Sequence, residues 1–439
     1  MLNRREFLEA GISAGVGLAI ASKRGAVHAG ATDDALNVAL IGAGAQGRAL
    51  MQTALLIPAL RFAAVCDIWR YSRNAARNYL STYKQEAAEY ADYQEMLATE
   101  KGLHAAIVAT PDFLHAEQSI ACLKAGLHVY CEKPMSTSLE SARSMVRAAK
   151  ETAKLLQIGY QRRSNPRYQH VESVLLRKAR LAGRLTHVSG EWNHGVKDDV
   201  GWPKKFAMRD EELKRYGYDD MHALRNWRAY KRYSLGRFAD FGAQQADAVN
   251  WFLGTVPKSV LAGGGIDYYK NHEWPDTVMA ILNYETAEGP VRALLSVRTT
   301  TAGGGEMTFE HFMGTEGSIK ISEKPKWTKV FREPHARPWD EWVRQGYLAS
   351  KEAAAKKPAT SEEEHVRETG VVVPYELPVA LHKPLHQPHL ENFFDAVRGR
   401  MKLTCPGEEA FRAEVVIHKV NQALDAKKLL VFEPSEFQV

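Results

Sequence analysis

The fold is decided by the stretch N-V-A-L-I-G-A-G-A-Q-G at residues 37–47, together with F-A-A-V-C-D, which ends at Asp67. An apolar strand therefore enters a glycine-rich turn, a helix follows, and a second apolar strand ends in an acid. In this order Gly42 permits the tight turn, Gly44 lets the backbone approach a pyrophosphate, and Gly47 lets the helix pack closely on the strand. The sequence predicts a unit that binds a dinucleotide.

The acid and the helix start indicate which dinucleotide binds. The helix start at Ala45 and Gln46 offers free N–H groups and the positive end of the helix dipole to the phosphates. Asp67 has the spacing of a carboxylate that accepts hydrogen bonds from the adenosine ribose, and it would repel the 2′-phosphate of NADP. Arg70 could pair with such a phosphate, but its position is typical of a solvated helix start. We therefore predict NAD, with NADP as the less favoured cofactor.

Strand and helix patterns alternate as far as residue 160. Strands are predicted at 104–109, 128–131 and 155–160, and helices at 71–88, 93–99 and 139–152. This alternation predicts a Rossmann domain, an α/β fold with a parallel sheet covered by helices on both faces. Ligands in such sheets bind beyond the carboxyl ends of the strands. The residues expected to line the cofactor on that side are Thr110, Pro111, His115, Glu132, Lys133 and Pro134.

The pattern changes after residue 160. Predicted strands at 185–192, 256–263, 277–284, 291–299, 307–314 and 317–321 indicate an α+β domain with a large, mostly antiparallel sheet. Residues 334–374 are charged and are interpreted as a surface insertion, and two helices are predicted at 388–398 and 408–426. The predicted domains are an export signal at 1–29, a Rossmann domain at 30–159 and an α+β domain at 160–439.

The first 29 residues resemble a twin-arginine export signal. Arg4 and Arg5 are followed by Phe7, Leu8 and a short apolar run at 10–21 that is too rich in glycine for a membrane anchor. We therefore expect a periplasmic protein that is moved, already folded, by the twin-arginine export machinery. Because a periplasm has no obvious pool of free NAD, we expect the nucleotide to be bound tightly and recycled in place.

Composition excludes several other classes. The net charge of +6 over 439 residues is mild and the basic residues are interleaved with acids, so no nucleic-acid partner is expected. The four cysteines form no C-x-x-C pair and are interpreted as core residues. His382, His386 and His389 have ligand-like spacing but lie in a proline-broken loop without acids or cysteines, so no metal site is predicted.

Several ordered motifs carry a family resemblance over nearly everything after Gly30. They are G-A-G-A-Q-G, A-T-P-D-F-L-H, C-E-K-P, G-Y-Q-R-R-S-N-P, N-W-R (226–228), D-F-G-A-Q-Q-A-D (240–247), G-T-E-G and C-P-G-E-E. The chain resembles the glucose–fructose oxidoreductase, inositol dehydrogenase and rhizopine-catabolism (Gfo/Idh/MocA) family. The resemblance implies hydride transfer between NAD and a hydroxyl-bearing carbon of a sugar, glycoside or cyclitol, in a homo-oligomer.

The resemblance also implies the catalytic residues. The family's lysine corresponds to Lys133, which would hold the substrate hydroxyl and stabilise the developing oxyanion. The family's aspartate corresponds to Asp240, but Gln244 occupies the position of its histidine. Glutamine cannot take up a proton at neutral pH. Proton transfer therefore rests on Lys133 with Asp240, or on another group, for which the candidates are His194, His222, Tyr160 and Tyr233.

Several side chains are candidates for substrate binding. Arg163 and Arg228 carry guanidinium forks that suit vicinal hydroxyls or a carboxylate. Trp227 and Trp192 could stack on a sugar face, or could equally belong to the core. Tyr160 and His194 complete the predicted set of substrate contacts.

Three functions remain open at this point. The first is an exported NAD-dependent oxidoreductase. The second is a redox-neutral enzyme that oxidises a sugar carbon, cleaves a glycosidic bond by elimination and then reduces the carbon again. Since relatives with that chemistry generally lack the lysine of E-K-P, Lys133 favours the first. The third is a sugar-binding protein that lost its chemistry at Gln244.

Overall fold

The computed structural model describes residues 34–302, 307–349 and 373–439. The predicted export signal lies outside these ranges, as does most of the charged segment at 334–374. Within the described residues no helix combines the length and the apolar character needed to cross a bilayer.

The first sheet has six parallel strands in the order β3-β2-β1-β4-β5-β6. Its strands are β1 (Leu36–Ile41), β2 (Leu60–Cys66), β3 (Ala88–Tyr90), β4 (Ala105–Val108), β5 (His128–Cys131) and β6 (Leu156–Ile158). The helices between them are α1 (Ala45–Ala54), α2 (Arg70–Thr82), α3 (Tyr93–Thr99), α4 (Asp112–Lys124) and α5 (Leu139–Thr152). The strands are apolar runs because helices cover both faces, and all four residues of β4 are fully buried. The predicted Rossmann fold is confirmed.

One helix of this part is shorter than predicted. The pattern at 71–88 predicts a single helix, but α2 ends at Thr82 and β3 follows it. Lys84 turns the chain with φ 57. The side chain of Gln85 then bonds to the backbone of β2, accepting from the N–H of Phe62 at 2.8 Å and donating to the carbonyl of Leu60 at 3.0 Å. These contacts favour a turn over a further helical turn.

The second sheet has eight strands in the order β13-β12-β11-β7-β10-β9-β8-β14. Its strands are β7 (Leu185–Asn193), β8 (Pro257–Gly265), β9 (Thr277–Thr286), β10 (Gly289–Arg298), β11 (Met307–Gly314), β12 (Gly317–Ile321), β13 (Lys329–Arg332) and β14 (Leu430–Val431). All neighbours are antiparallel except β7 and β10. The predicted large, mostly antiparallel sheet is confirmed.

Helices cover one face of the second sheet. The remaining helices are α6 (Pro166–His170), which continues as a π-helix (Val171–Lys178), α7 (Asp210–Arg215), α8 (Met221–Arg225), α9 (Ala243–Leu253), α10 (Asp340–Arg344), α11 (Gln387–Val397) and α12 (Gly407–Ala426). A further π-helix (Phe238–Gly242) leads into α9, and a 3-10 turn (Lys204–Phe206) precedes α7. Along β9 buried and exposed residues alternate, so the opposite face of the sheet stays open.

Residues 334–349, the described start of the charged segment, contribute in part to the hydrophobic core. Trp339 is 1% exposed, and its ring lies 5.4 Å from that of Tyr375. A Cβ added at Gly317 would come within 2.5 Å of the same indole. The surface interpretation therefore does not hold at Trp339, and the charged runs at 350–372 lie outside the described residues.

Candidate active site

The predicted cofactor residues meet at one edge of the first sheet. The loops after β1, β4 and β5 all begin at carboxyl ends of neighbouring parallel strands, where ligands of such sheets bind. Those loops carry the glycine motif, Thr110-Pro111 and Glu132-Lys133-Pro134. The structure therefore brings these three motifs to one edge.

The glycine loop has the geometry of a phosphate cradle. Gly42 has φ 89, and a Cβ there would lie 2.6 Å from the carbonyl carbon of Ala109. A Cβ at Gly47 would lie 1.8 Å from the carbonyl oxygen of Gly42, whereas a Cβ at Gly44 would meet nothing within 4 Å. The helix α1 starts at Ala45 with no side-chain cap and no acid in its first turn. Its first N–H groups are therefore left for an anionic ligand.

Asp67 sits beside this cradle at the end of β2. Its Oδ2 accepts from the N–H of Ala43 at 2.8 Å, and its Oδ1 accepts from the N–H of Trp69 at 2.8 Å. Burial raises the pKa of Asp67, while these two N–H groups and the charges of Arg73 and Arg48 oppose the rise. The cradle and the acid together fit a dinucleotide.

The loop after β5 is tied to the glycine loop. Gln46 donates from Nε2 to Oε1 of Glu132 at 3.1 Å, and the same nitrogen lies 3.4 Å from Nε2 of His386. Glu132 is buried, and Gly159 faces its carboxylate. Glu132 therefore connects the residue before Lys133 to the phosphate cradle.

His115 braces two of the loops. Its Nδ1 lies 2.7 Å from the carbonyl oxygen of Pro134, and its Nε2 lies 2.7 Å from that of Thr110. Burial alone would lower the pKa of His115, but Cys131 and the two carbonyls raise it to about 9. An imidazolium satisfies both carbonyls because both of its nitrogens donate. His115 is 1% exposed and therefore acts on the site through the loops.

Lys133 and Asp240 form the centre of the site. The ammonium of Lys133 donates to the backbone carbonyl of Asp240 and lies 3.5 Å from Oδ1 of the same residue. The other carboxylate oxygen, Oδ2, accepts from Nε of Arg228 at 3.0 Å. Burial would raise the pKa of Asp240, but Arg228, Lys133 and Arg237 lower it to about 2. Asp240 is therefore ionised at neutral pH and orients the lysine.

A second acid at this centre was missed by the sequence analysis. Asp112 is the first residue of α4, and its Oδ2 accepts from the N–H of Leu235 at 3.0 Å. Burial raises the pKa of Asp112 to about 7, against the opposing effects of that N–H and of Arg228 and Lys133. The available signal was an acid directly after Thr-Pro at a helix start on the cofactor edge.

Gln244 is a buried residue of α9, 1% exposed. Its Nε2 donates to the carbonyl of Gly159 at 3.0 Å and to Oε1 of Gln161 at 2.5 Å. Its own Oε1 is buried and has no hydrogen-bond partner among the described residues. That oxygen can accept a hydrogen bond but cannot carry a proton.

Two predicted substrate contacts are placed elsewhere. The guanidinium of Arg163 is held by the buried carboxylate of Asp247, with contacts of 2.8 to 3.0 Å. Tyr160 is fully buried. The geometry therefore argues against both residues as substrate contacts, because Asp247 already occupies the guanidinium of Arg163 and protein covers the ring of Tyr160.

The other predicted contacts lie nearer the centre. The Arg228 guanidinium lies 4.1 Å from the centroid of the Trp227 ring. His194 lies against Phe241, the residue after Asp240, with 5.4 Å between ring centroids. The alternative proton carriers have protein partners, since His222 lies 2.7 Å from the hydroxyl of Tyr230 and Tyr233 donates to Asp219 at 3.0 Å.

A distant carboxylate also supports the lysine loop. Glu414, fully buried in α12, accepts from the N–H of Met135 at 2.9 Å and from that of Ser136 at 3.2 Å. No local sequence signal pointed to it. Glu414 is a positioning residue for the turn that follows Lys133 and Pro134.

The histidines with ligand-like spacing are separated by their partners. His386 contacts Gln46, whereas His389 lies 2.8 Å from the carbonyl of Ile158 and 2.7 Å from Oγ of Ser164. In the part of the chain that the structure describes, no group of three or more His, Cys, Asp or Glu residues could hold a metal ion.

Comparison with known proteins agrees with this geometry. Residues 36–160 match the family described as "Oxidoreductase family, NAD-binding Rossmann fold", and residues 212–429 match its "C-terminal alpha/beta domain". The levoglucosan dehydrogenase of Pseudarthrobacter phenanthrenivorans is 27% identical over 311 residues, which are 65% of this chain and 73% of that protein. An inositol 2-dehydrogenase of Salmonella typhimurium is 28% identical over 142 residues, 32% of this chain and 41% of that protein.

Solved structures show the same fold. The WlbA dehydrogenase of Bordetella pertussis, in complex with NADH and UDP-GlcNAcA, superposes with a TM-score of 0.65 at 18% identity, over 92% of this chain and 99% of that chain. A levoglucosan dehydrogenase in complex with NADH and L-sorbose superposes with a TM-score of 0.66 at 15% identity, over 91% and 99%. Both parts of the chain are matched in family sequence and in fold. The chain therefore belongs to the Gfo/Idh/MocA oxidoreductase family.

Proposed function

We propose that the chain is an exported oxidoreductase that transfers hydride between tightly bound NAD and a hydroxyl-bearing carbon of a sugar, glycoside or cyclitol. The observation that carries the proposal is the Lys133 ammonium, held by Asp240 at the edge where the phosphate cradle also opens. The relatives named as dehydrogenases of levoglucosan and inositol support the class of substrate.

The residues present divide the chemical work. The glycine loop and Asp67 would hold NAD, which supplies the acceptor for the hydride when bound. Lys133, fixed by two oxygens of Asp240, presents its remaining N–H to the substrate hydroxyl. In the amine form that remaining position is a lone pair, which takes the proton of the hydroxyl as the carbon gives up its hydride, and the ammonium so formed stabilises the negative charge that develops on the oxygen. Asp240 stays ionised throughout, because its pKa is about 2.

Retention of NAD is supported by an aromatic cap, residues 202–233, which packs beside Asp67. Trp69, 4% exposed, donates from its indole nitrogen to the carbonyl of Phe206 at 2.6 Å. The guanidinium carbon of Arg225 lies 5.0 Å from the centroid of the same indole. These contacts join the cap to Trp69, two residues after Asp67, so the cap would slow the release of the adenosine half.

The decisive experiment uses the purified protein without added cofactor. We expect nucleotide to copurify and bound NADH absorbance to appear on addition of one member of a panel of sugars, glycosides and cyclitols, with a keto product found by mass. Cleavage of a glycoside without net NADH would support the redox-neutral alternative. Silence across the panel, together with binding of a sugar, would support a non-catalytic role for the protein.

Export is a separate part of the proposal. It is supported by the paired Arg4 and Arg5 ahead of a short apolar run. Cell fractionation should place the full chain in the periplasm, and the double variant Arg4→Lys, Arg5→Lys should stay in the cytoplasm. Periplasmic export of the double variant would contradict the twin-arginine route.

Homo-oligomer formation through the open face of the second sheet completes the proposal. Leu261, Ile281 and Leu294 are 42%, 42% and 37% exposed, and their register places them side by side on β8, β9 and β10. Such an apolar row is typical of a protein interface. Light scattering should show that the wild-type protein is an oligomer and that the Ile281→Lys variant is a monomer. A monomeric wild-type protein would refute the proposed oligomer.

A further inference from the structure

Arg237 is a buried cation with no hydrogen-bond or ion-pair partner in the part of the chain that the structure describes. It is 7% exposed, and it makes no hydrogen bond or ion pair within the described residues, with Nε buried and unsatisfied. The other buried arginines are satisfied: Arg162 by Glu310 and Glu323, Arg163 by Asp247, and Arg167 by the carbonyl of Ser322. Since an unpaired buried charge is strongly unfavourable, Arg237 needs an explanation.

The backbone around Arg237 is held firmly beside the catalytic centre. Oγ of Ser234 donates to the carbonyl of Arg228 at 3.2 Å and accepts from the N–H of Gly236 at 3.2 Å. A Cβ at Gly236 would lie 2.6 Å from the Trp274 ring. Arg237 also directly precedes the π-helix that carries Asp240, and its charge lowers the pKa of that aspartate. The backbone that carries the orphan guanidinium is therefore fixed next to the catalytic centre.

A second guanidinium at this place has free donors. Arg228 uses only Nε to bind Asp240, and its side chain is 42% exposed. Three cations, Lys133, Arg228 and Arg237, thus surround the ionised carboxylate of Asp240. Two further acids lie near these cations: Asp112 is partly protonated at neutral pH because its pKa is about 7, and Asp276, whose charge acts on Arg237, already accepts hydrogen bonds from the N–H groups of residues 267–269. The excess of positive charge calls for an anionic group from outside the protein.

We propose that Arg237, together with Arg228, binds the carboxylate of a sugar acid, so that the substrate of the Lys133 centre is a uronate or a related acid. This inference rests on the proposed function, since it assigns the substrate class of the same site. A planar carboxylate fits the fork of one guanidinium with two parallel hydrogen bonds. The role that the sequence suggested for Arg163 passes to Arg237, because Asp247 fills the fork of Arg163.

The test compares matched sugar pairs, glucose with glucuronate and galactose with galacturonate, on the wild-type protein and on Arg237→Met. We expect the wild-type KM to be lower for the acid by about tenfold or more, and the preference to be lost in Arg237→Met through a higher KM for the acid. Arg237→Lys, which keeps the charge but loses the fork, should be intermediate. The control Arg147→Met, on the exposed face of α5, should keep the wild-type preference.

Thermal melting supplies a readout that does not depend on turnover. We expect glucuronate, but not glucose, to raise the Tm of the wild-type protein and to have no such effect on Arg237→Met. Without ligand, Arg237→Met should melt at the wild-type temperature or above it, because the variant removes an unpaired buried charge. A structural arginine would give the opposite result, a clear loss of stability.

The outcomes separate the two proposals. Equal use of neutral and acidic sugars, or an acid preference that survives in Arg237→Met, would overturn the carboxylate site and leave the oxidoreductase standing. A larger Arg237-dependent shift with glucose 6-phosphate than with glucuronate would overturn the carboxylate in favour of a phosphate. An Arg237-dependent Tm shift with glucuronate but no NADH would support the carboxylate site and refute the oxidoreductase.

Discussion

The ammonium of Lys133 is bound by two oxygens of one residue, the backbone carbonyl and the Oδ1 of Asp240. Lys133 follows β5 of the parallel sheet, whereas Asp240 lies on the π-helix that leads into α9. The position of the Lys133 ammonium therefore depends both on the first sheet, which carries Lys133, and on the π-helix, which carries Asp240. Because Asp240 also binds Arg228, it keeps its negative charge at every pH at which the protein would be assayed.

Lys133→Ala should lose catalysis and keep the cofactor. Removing a positioned proton-transfer group slows turnover by about 10²–10⁴-fold, or roughly 3–5 kcal/mol of barrier. The phosphate cradle does not involve this side chain, so copurified NAD should equal the wild-type amount. The measurements are the rate of bound NADH formation and the nucleotide content. Lys150→Ala, at an exposed ion pair with Glu408, is the control, and full activity of Lys133→Ala would refute the catalytic role.

Gln244→His should restore a proton acceptor. The oxygen of Gln244 is buried without a partner in the described structure, whereas its nitrogen is used twice. An imidazole at this position would add a group that loses its proton near pH 6.5. We therefore expect the rate of the variant, relative to wild type, to rise as the pH is raised through that region. Gln244→Leu is the comparison variant. If Gln244→His is no faster than Gln244→Leu at any pH, a proton acceptor at position 244 does not contribute to the reaction.

The edge of the first sheet was predictable because its determinants are local. Strand, turn glycines, helix and acid follow one another within 37–67, and the predicted helix at 139–152 coincides with α5 (Leu139–Thr152). The local sequence pattern is sufficient to predict an element when the contacts that determine its conformation lie within the same turn, helix or strand. Lys133 and Asp240 were predicted as a catalytic pair from the family resemblance, and the structure adds that the ammonium of Lys133 contacts Asp240.

The remainder of the site depends on distant pairs. Arg163 has the chemistry of a substrate contact, but Asp247, 84 residues away, occupies it. Glu414 supports the lysine loop from 279 residues away. Arg237 differs from the other buried arginines only in lacking a hydrogen-bond partner among the described residues. A single sequence does not reveal which of many carboxylates meets which arginine, because any of them could satisfy the same charge.

Trp69→Ala should convert resident NAD into exchangeable NAD. The indole of Trp69 joins the loop after Asp67 to the aromatic cap by contacting Phe206 and Arg225. Removing the indole breaks both of these contacts between the loop and the cap. Changes in affinity of this kind appear mainly in the dissociation rate, for which we expect an increase of about tenfold or more. Stopped-flow dilution of bound NADH fluorescence measures that rate. The control is Trp342→Ala, which removes a half-buried indole stacked on Tyr347, and equal rates in all three proteins would contradict the role of the cap.

Asp112→Asn should flatten the dependence of stability on pH. Burial raises the pKa of Asp112 to about 7, so the native state holds this proton more tightly than the unfolded chain, in which an aspartate has a pKa near 3.9. The stabilisation is complete below pH 4, declines as the pH rises to about 7, and is absent above it. The loss is on the order of 4 kcal/mol for this group. Asparagine resembles the protonated acid, so urea unfolding should show Asp112→Asn equal to wild type at pH 4 and more stable at pH 8. Asp425→Asn, at the exposed end of α12, should follow wild type at both pH values. If Asp112→Asn is less stable than wild type at pH 8, folding favours the ionised carboxylate over a neutral group of the same shape, and the raised pKa of Asp112 is wrong.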